Sequence, residues 1–281
     1  MGHAMQEIAG KVAVVTGGGE GIGRGIAHAL AAAGALVAVA DIDTAAADRV
    51  VAELEAAGAR ALSARVDVAD AGSVESLARH VEAALGPVAI LVNNAGVMLD
   101  GSLVDADARD WQWVLSVNLM GVVHGVRAFV PGMRAREVGG HVVNTGSMAG
   151  LAPRLGSRLG IYSASKAAVV SYSEMLRAEL AADGIGVSVL CPSTVRTRIW
   201  DADRNRPAAL GAGQPVPMPA RIADALDPMA VGPLVVRAIR EDRAYILTSD
   251  DARPRIEARN AAVLADVARH EAESAAAAGG T

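Results

Sequence analysis

The residues best suited to chemistry are a tyrosine and a lysine four positions apart, Tyr162 and Lys166. Of 26 basic residues only two are lysines, leaving 24 arginines, and only three residues are tyrosines. A lysine is therefore kept here in a chain that otherwise uses arginine for nearly every positive charge. Four positions are about one helical turn, which puts both side chains on one face. Tyrosine at its ordinary pKa of about 10 is a poor base near neutrality. An ammonium group beside it favours the tyrosinate, so the spacing predicts a tyrosine pKa lowered toward working pH and a side chain able to take or give a proton. Arginine is no substitute, because the guanidinium is larger and presents a fork rather than a point charge.

A second constellation is Thr16-Gly17-Gly18-Gly19-Glu20-Gly21-Ile22-Gly23, which follows an apolar run at 11–16 and opens a helical stretch. Glycine lets the backbone turn tightly and lets phosphate oxygens approach the amides, while the helix start supplies unpaired N–H groups. Asp41 ends the next apolar run, 24 positions after Gly17. A carboxylate there can accept hydrogen bonds from the ribose hydroxyls of a dinucleotide and would repel a 2′-phosphate. No arginine or lysine occupies 17–23 or 42–48, although Arg24 is close, so the pattern favours NAD over NADP. Gly17, Gly21, Ile22, Gly23 and Asp41 are the candidate contacts.

Positioning these groups requires a frame. Valine-rich apolar runs at 11–16, 36–41, 59–66, 90–93, 141–145, 187–190 and 244–247 read as strands buried on both faces. Amphipathic stretches at 22–33, 44–57, 73–85, 107–136, 162–183 and 231–241 lie between them, several ending near Gly34, Gly58, Gly86 or Gly184. This alternation predicts an α/β fold, a Rossmann-type doubly wound parallel sheet with helices on both faces. With no repeat and no linker, residues 1–281 read as a single domain. Residues 193–230 are proline-rich and read as a substrate-side loop or lid, to which Trp200, Met218 and Met229 could give apolar walls. Residues 253–281 read as a helix fading into a frayed Ala/Gly tail.

Composition excludes several classes. The net charge of −5 argues against nucleic acid as a partner. The longest apolar stretch, 26–40, is broken by His28 and Gly34, so no membrane span is expected and a cytoplasmic setting is the default. The single cysteine, Cys191, cannot form an internal disulfide and reads as a small buried hydrophobe, and the histidines lack metal-ligand spacing, so no metal is expected. Trp111 and Trp113 open the 107–136 helix and read as core or subunit-interface packing.

The spacing TGxxxGxG in the glycine loop resembles that of the short-chain dehydrogenase/reductase family, and further motifs follow in that family's order. Asp67-Val68 follows the third strand, Asn93-Asn94-Ala95-Gly96 follows the fourth, Asn118 sits in VNLMG, Ser147 closes the fifth strand in NTGSMAG, YSASK spans Tyr162 to Lys166, and CPSTVRT carries Pro192 and Thr197. The resemblance implies that Asp67 and Val68 border the adenine, Asn94, Ala95 and Gly96 line the cofactor, and Pro192 and Thr197 border the nicotinamide. It implies Tyr162 as acid/base, Lys166 tuning it together with the positive charge of the oxidised nicotinamide and holding the nicotinamide ribose, Ser147 holding the substrate oxygen, and Asn118 positioning a water near Lys166. Two departures stand out. Ser193 replaces the glycine usual after the proline, and the 15 positions from Ser147 to Tyr162 are about two more than usual. The surplus falls in LAPRLGSRLGI, which carries Arg154 and Arg158 and borders the substrate in that family.

The implied activity is NAD-dependent interconversion of a secondary alcohol and its ketone on a fairly apolar skeleton. Rival readings are an NADP-preferring carbonyl reductase and a catalytically inactive dinucleotide-binding sensor or scaffold. The latter would have no need of Asn118, Ser147, Tyr162 and Lys166 together. The resemblance also implies a homotetramer or homodimer, with 107–136 and 162–183 pairing through Gly121, Gly125, Ala167, Ala168 and Ala178.

Overall fold

The computed structural model describes residues 5–137, 139–211, 222 and 225–278. Its strands are β1 (Val12–Thr16), β2 (Leu36–Asp41), β3 (Ala61–Arg65), β4 (Val88–Asn93), β5 (Gly140–Thr145), β6 (Ile185–Cys191) and β7 (Tyr245–Leu247). All pair in parallel in the order β3-β2-β1-β4-β5-β6-β7. The helices are α1 (Gly21–Ala32), α2 (Thr44–Ala56), α3 (Ala71–Leu85), α4 (Ala108–Leu115), α5 (Gly121–Ala135), α6 (Met148–Leu151), α7 (Gly160–Leu180), α8 (Val231–Glu241) and α9 (Ala252–Ala278).

The apolar runs are strands because both of their faces are covered. Ala13 and Val15 of β1 pack with α1, α2 and α8 on one side, while Val12 and Val14 pack with α3, α5 and α7 on the other. Each fully buried Val, Leu or Ile contributes about 1.5–3 kcal/mol of transfer free energy, which explains why neither face of the central strands can be polar. The chain reverses its winding between β1 and β4, so the connections leave in opposite directions and open a crevice at the carboxyl ends of the strands.

Three elements differ from the sequence expectation. The 107–136 helix is α4 and α5 joined by a π-helical turn, Ser116–Met120. By length and composition this helix could cross a membrane, but half of its apolar window is buried within the protein. Residues 193–211 are not plain loop. They form 3-10 turns Arg198–Asn205 and Ala208–Leu210, strapped down by Arg198–Glu20 at 2.9 Å and Arg206–Asp110 at 2.7 Å. The helix expected in the C-terminal stretch runs further into the alanine-rich tail than a fading end suggests, since α9 continues to Ala278. Met218, one of the expected lid residues, lies outside the described residues.

Candidate active site

The crevice at the carboxyl ends of the strands is a cavity of about 620 Å³. Its floor at one end is the glycine loop between β1 and α1. Gly17 has φ +61°, and a Cβ there would stand 2.8 Å from the Ala95 Cα. A Cβ at Gly23 would lie 2.0 Å from the Gly17 carbonyl oxygen, so only glycine lets α1 start this close to the loop. Asn94 clamps the turn by donating from Nδ2 to the carbonyls of Thr16 and Gly17, both at 3.0 Å. Side chains cap α2, α3 and α4 through Asp43, Asp70 and Asp107, but none caps α1. The α1 start thus combines a backbone cradle with uncapped amides, a donor set that fits a pyrophosphate.

Asp41 stands at the end of β2 beside this cradle. Its carboxylate accepts from the Gly19 amide at 2.9 Å and the Asp43 amide at 3.0 Å. Burial raises its pKa, and these two amides oppose the rise. Arg24, the nearby cation, is turned away and pairs with Glu53 at 2.8 Å. Asp67 and Val68 continue the same wall past β3, with Asp67 accepting from the Ala69 amide at 3.0 Å.

Ser147, Tyr162 and Lys166 line the cavity near its middle, with Thr145, Gly96, Pro192 and Thr197. Ser147 lies two residues past the end of β5 and caps α6, its Oγ accepting from the Ala149 amide at 3.0 Å. Tyr162 and Lys166 come from the first two turns of α7, and the Lys166 Nζ lies 5.9 Å from the Tyr162 ring centroid. Both side chains are buried, and Lys166 donates to the Thr145 carbonyl at 2.7 Å.

In the free protein, burial opposes the lowering of the tyrosine pKa that a neighbouring positive charge would bring. Burial pushes Tyr162 above its usual value, and the neighbouring Ser147 hydroxyl pulls the other way. Burial likewise pulls Lys166 down to about 8. Desolvation penalises the charged form of both groups, an effect that the four-residue spacing could not reveal.

Two expected site residues do not face the cavity. Gly23 acts through backbone packing alone. Asn118, in the π-helical turn, has both ends of its side chain engaged: Oδ1 accepts from the Val97 amide at 2.8 Å, and Nδ2 donates to the Val97 carbonyl at 2.9 Å and to Ser165 Oγ at 3.0 Å. The side chain ties the loop after β4 to α7. The remaining expected residues, Gly17, Gly21, Ile22, Asp41, Asp67, Val68, Asn94, Ala95, Gly96, Ser147, Tyr162, Lys166, Pro192 and Thr197, all line it.

The lining also includes residues from outside the expected dinucleotide and catalytic sets. Trp113 is core, as expected, but it also lines the cavity, with the Arg206 guanidinium 5.2 Å from its ring. Trp200 lines it as expected of a lid, whereas Met229 sits against Arg24 instead. Arg255, from the first turn of α9, reaches it across the fold. Cys191 is buried and its thiol is pushed up to about 12 by burial, so it is chemically quiet. Among the described residues no three His, Cys, Asp or Glu side chains gather as a metal-binding group.

A glycine cradle at a sheet's switch point, with a Ser, Tyr and Lys facing the same crevice, defines a dinucleotide-binding oxidoreductase architecture. The family described as short chain dehydrogenase matches residues 11–208, and this chain belongs to the short-chain dehydrogenase/reductase family. It is 34% identical over 278 residues to a C alpha-dehydrogenase of Sphingobium sp., covering 96% of this chain and 90% of that one. It is 45% identical over 185 residues to the probable oxidoreductase EphD of Mycobacterium tuberculosis, covering 66% of this chain but only 31% of that longer protein. A short-chain dehydrogenase/reductase from Burkholderia phymatum, solved with NAD, superposes with a TM-score of 0.85 at 40% identity, covering 93% of this chain and 97% of that one. Solved relatives hold NAD, NADH or NADPH.

Proposed function

We propose that this protein is an NAD-dependent oxidoreductase that interconverts a secondary alcohol and its ketone. The observation that carries the reading is a single cavity with Asp41 and the uncapped α1 start at one end and Ser147, Tyr162 and Lys166 beyond them. The glycine loop, Asp41, Asp67 and Asn94–Gly96 would hold the dinucleotide, with Pro192 and Thr197 beside its nicotinamide. When bound, that ring accepts or returns the hydride.

The chain's own work is proton handling and orientation. Ser147 Oγ holds the substrate oxygen, and Tyr162 Oη takes its proton in oxidation or gives it back in reduction. Burial favours protonated Tyr162, so the free protein is set as a proton donor. Deprotonation in the oxidative direction depends on the Lys166 ammonium, which α7 and the Thr145 carbonyl fix beside the ring. Asn118 braces α7 at Ser165 and thereby the height of Tyr162 in the cavity.

Asp41 supports NAD over NADP, because a carboxylate at the end of β2 repels a 2′-phosphate and no lysine or arginine among the cavity-lining residues adjoins it in sequence. A panel of secondary alcohols with each cofactor tests the reading. The expected result is reduction of NAD with kcat/KM above that for NADP. A higher value with NADP would reverse the cofactor assignment.

A two-fold assembly through α5 and α7 belongs to the same proposal. Ala167 and Ala178 are exposed on α7 and free for close helix approach. Gly121 and Gly125 are instead used internally, since a Cβ would stand 2.9 Å from Val68 Cγ2 and 2.1 Å from Asn93 Oδ1. Gel filtration as a dimer or tetramer is the expected result, and a monomer would contradict it.

A further inference from the structure

Charge is unevenly distributed along the cavity. Its carboxylates, Glu20, Asp41, Asp43 and Asp67, all lie on the dinucleotide side. Glu20 is already matched by Arg198 at 2.9 Å and Arg204 at 3.1 Å. On the other side, past Ser147, two more arginines line the cavity: Arg154 and Arg255. Among the described residues, neither has a carboxylate within ion-pair distance. Every other arginine on the cavity wall does.

Arg255 is fixed in place. Its Nη2 donates to the carbonyls of Met148 and Ala152, the two ends of the short α6 segment that Ser147 caps. Arg259, one turn further along α9, donates to the Leu151 carbonyl at 2.7 Å and anchors the same helix start. Arg154 follows α6, and its guanidinium forms no hydrogen bond or ion pair among the described residues. It lies close enough to Arg255 for their charges to repel. Asp251 offsets part of the charge on Arg255 but does not line the cavity. Arg154 is exposed and Arg255 half-buried, so water solvates the pair in the free protein, and both keep guanidinium donors that an anion entering the cavity can take. Trp113, Trp200, Met148 and Leu159 supply the apolar wall beside them.

We infer that the substrate carries an oxyanion group, carboxylate or sulfonate, across an apolar spacer from its reacting carbon, and that Arg154 and Arg255 receive it. The inference rests on the alcohol–ketone reading above and names the substrate class for that site. It also accounts for the lengthened segment between Ser147 and Tyr162, because Arg154 sits in it.

Tryptophan quenching on the full chain with saturating NAD tests this directly, since Trp113 and Trp200 line the cavity. The probes are octanoate, octanesulfonate and 1-octanol. The expected result is octanoate or octanesulfonate binding at least about tenfold tighter than octanol. Tight binding of both anions marks a general oxyanion site, and of octanoate alone a carboxylate site. Arg154→Gln should cut anion affinity about fivefold or more and leave octanol unchanged. Because Arg154 holds nothing else, this variant keeps its fold even if Arg255→Gln loosens α6. The double variant should lose the preference for anions. Octanol binding as tightly as octanoate, or an anion affinity unchanged in Arg154→Gln, would overturn the inference. The readout is binding, so that failure leaves the oxidoreductase reading intact. Undiminished turnover in Tyr162→Phe would sink the mechanism whatever the anion result.

Discussion

The two ends of the parallel sheet treat buried polar groups in opposite ways. At the amino end, Arg177 of α7 donates to the Val187 carbonyl and to both carboxylate oxygens of Asp242, each at 2.8 Å. His141 of β5 bonds Ser188 Oγ at 2.8 Å, and Ser188 in turn bonds the Arg243 carbonyl. These groups hold α7, α8 and β6 together. At the carboxyl end, Tyr162, Lys166 and Ser147 are just as buried, yet they line a cavity, and the two titratable groups among them carry the burden of their own desolvation. The amino end uses its polar groups to join elements, even where burial disfavours a charge, as at His141. The carboxyl end turns such groups toward a cavity instead, as expected where proton transfer has to be close to balanced.

The comparison breaks most sharply at Lys166. Lys166→Met should lower turnover by about 10²-fold or more, while the denaturant midpoint stays the same or rises, because a buried charge has been removed. A loss of stability matching the loss of activity would mean that Lys166 is structural. At the other end the signs reverse. Arg177→Met leaves Asp242 buried without its partner and should cost about 3 kcal/mol of unfolding free energy by urea titration, with KM unchanged.

The amino end should also make stability pH-dependent. Burial holds His141 down at about 4 against an ordinary 6.5, with Asp242 opposing and Arg177 reinforcing the shift. Between those values the unfolded chain binds a proton that the folded chain does not. Stability therefore falls as pH drops from 6.5 toward 4, by up to about 3 kcal/mol. Urea midpoints at neutral and acid pH check this, and the slope should flatten in His141→Asn. The smallest effect is at Asp41. Asp41→Ala should move the ratio of kcat/KM for NAD over NADP about tenfold toward NADP, and an unchanged ratio would remove Asp41 from cofactor choice.

What was legible in the sequence follows the range of the interaction. Valine runs buried on both faces gave the strands, and the glycine loop and Asp41 announced themselves through spacing within one βαβ unit. The Tyr162–Lys166 pair was equally local. The π-helical turn at 116–120 has no composition of its own. The bracing role of Asn118 depends on Val97 and Ser165, which only the folded chain brings near. Arg255 reaches α6 across more than a hundred residues of sequence. The four-residue spacing reports the charge beside Tyr162 but not the burial that opposes it in the free protein.

The most direct measurement of the central claim is a paired assay of Tyr162→Phe, following the absorbance of reduced cofactor for turnover and its fluorescence for binding. The account predicts turnover lower by about 10²–10⁴-fold with cofactor affinity within about threefold of the parent protein. Undiminished turnover, or a loss of cofactor binding equal to the loss of rate, would contradict it.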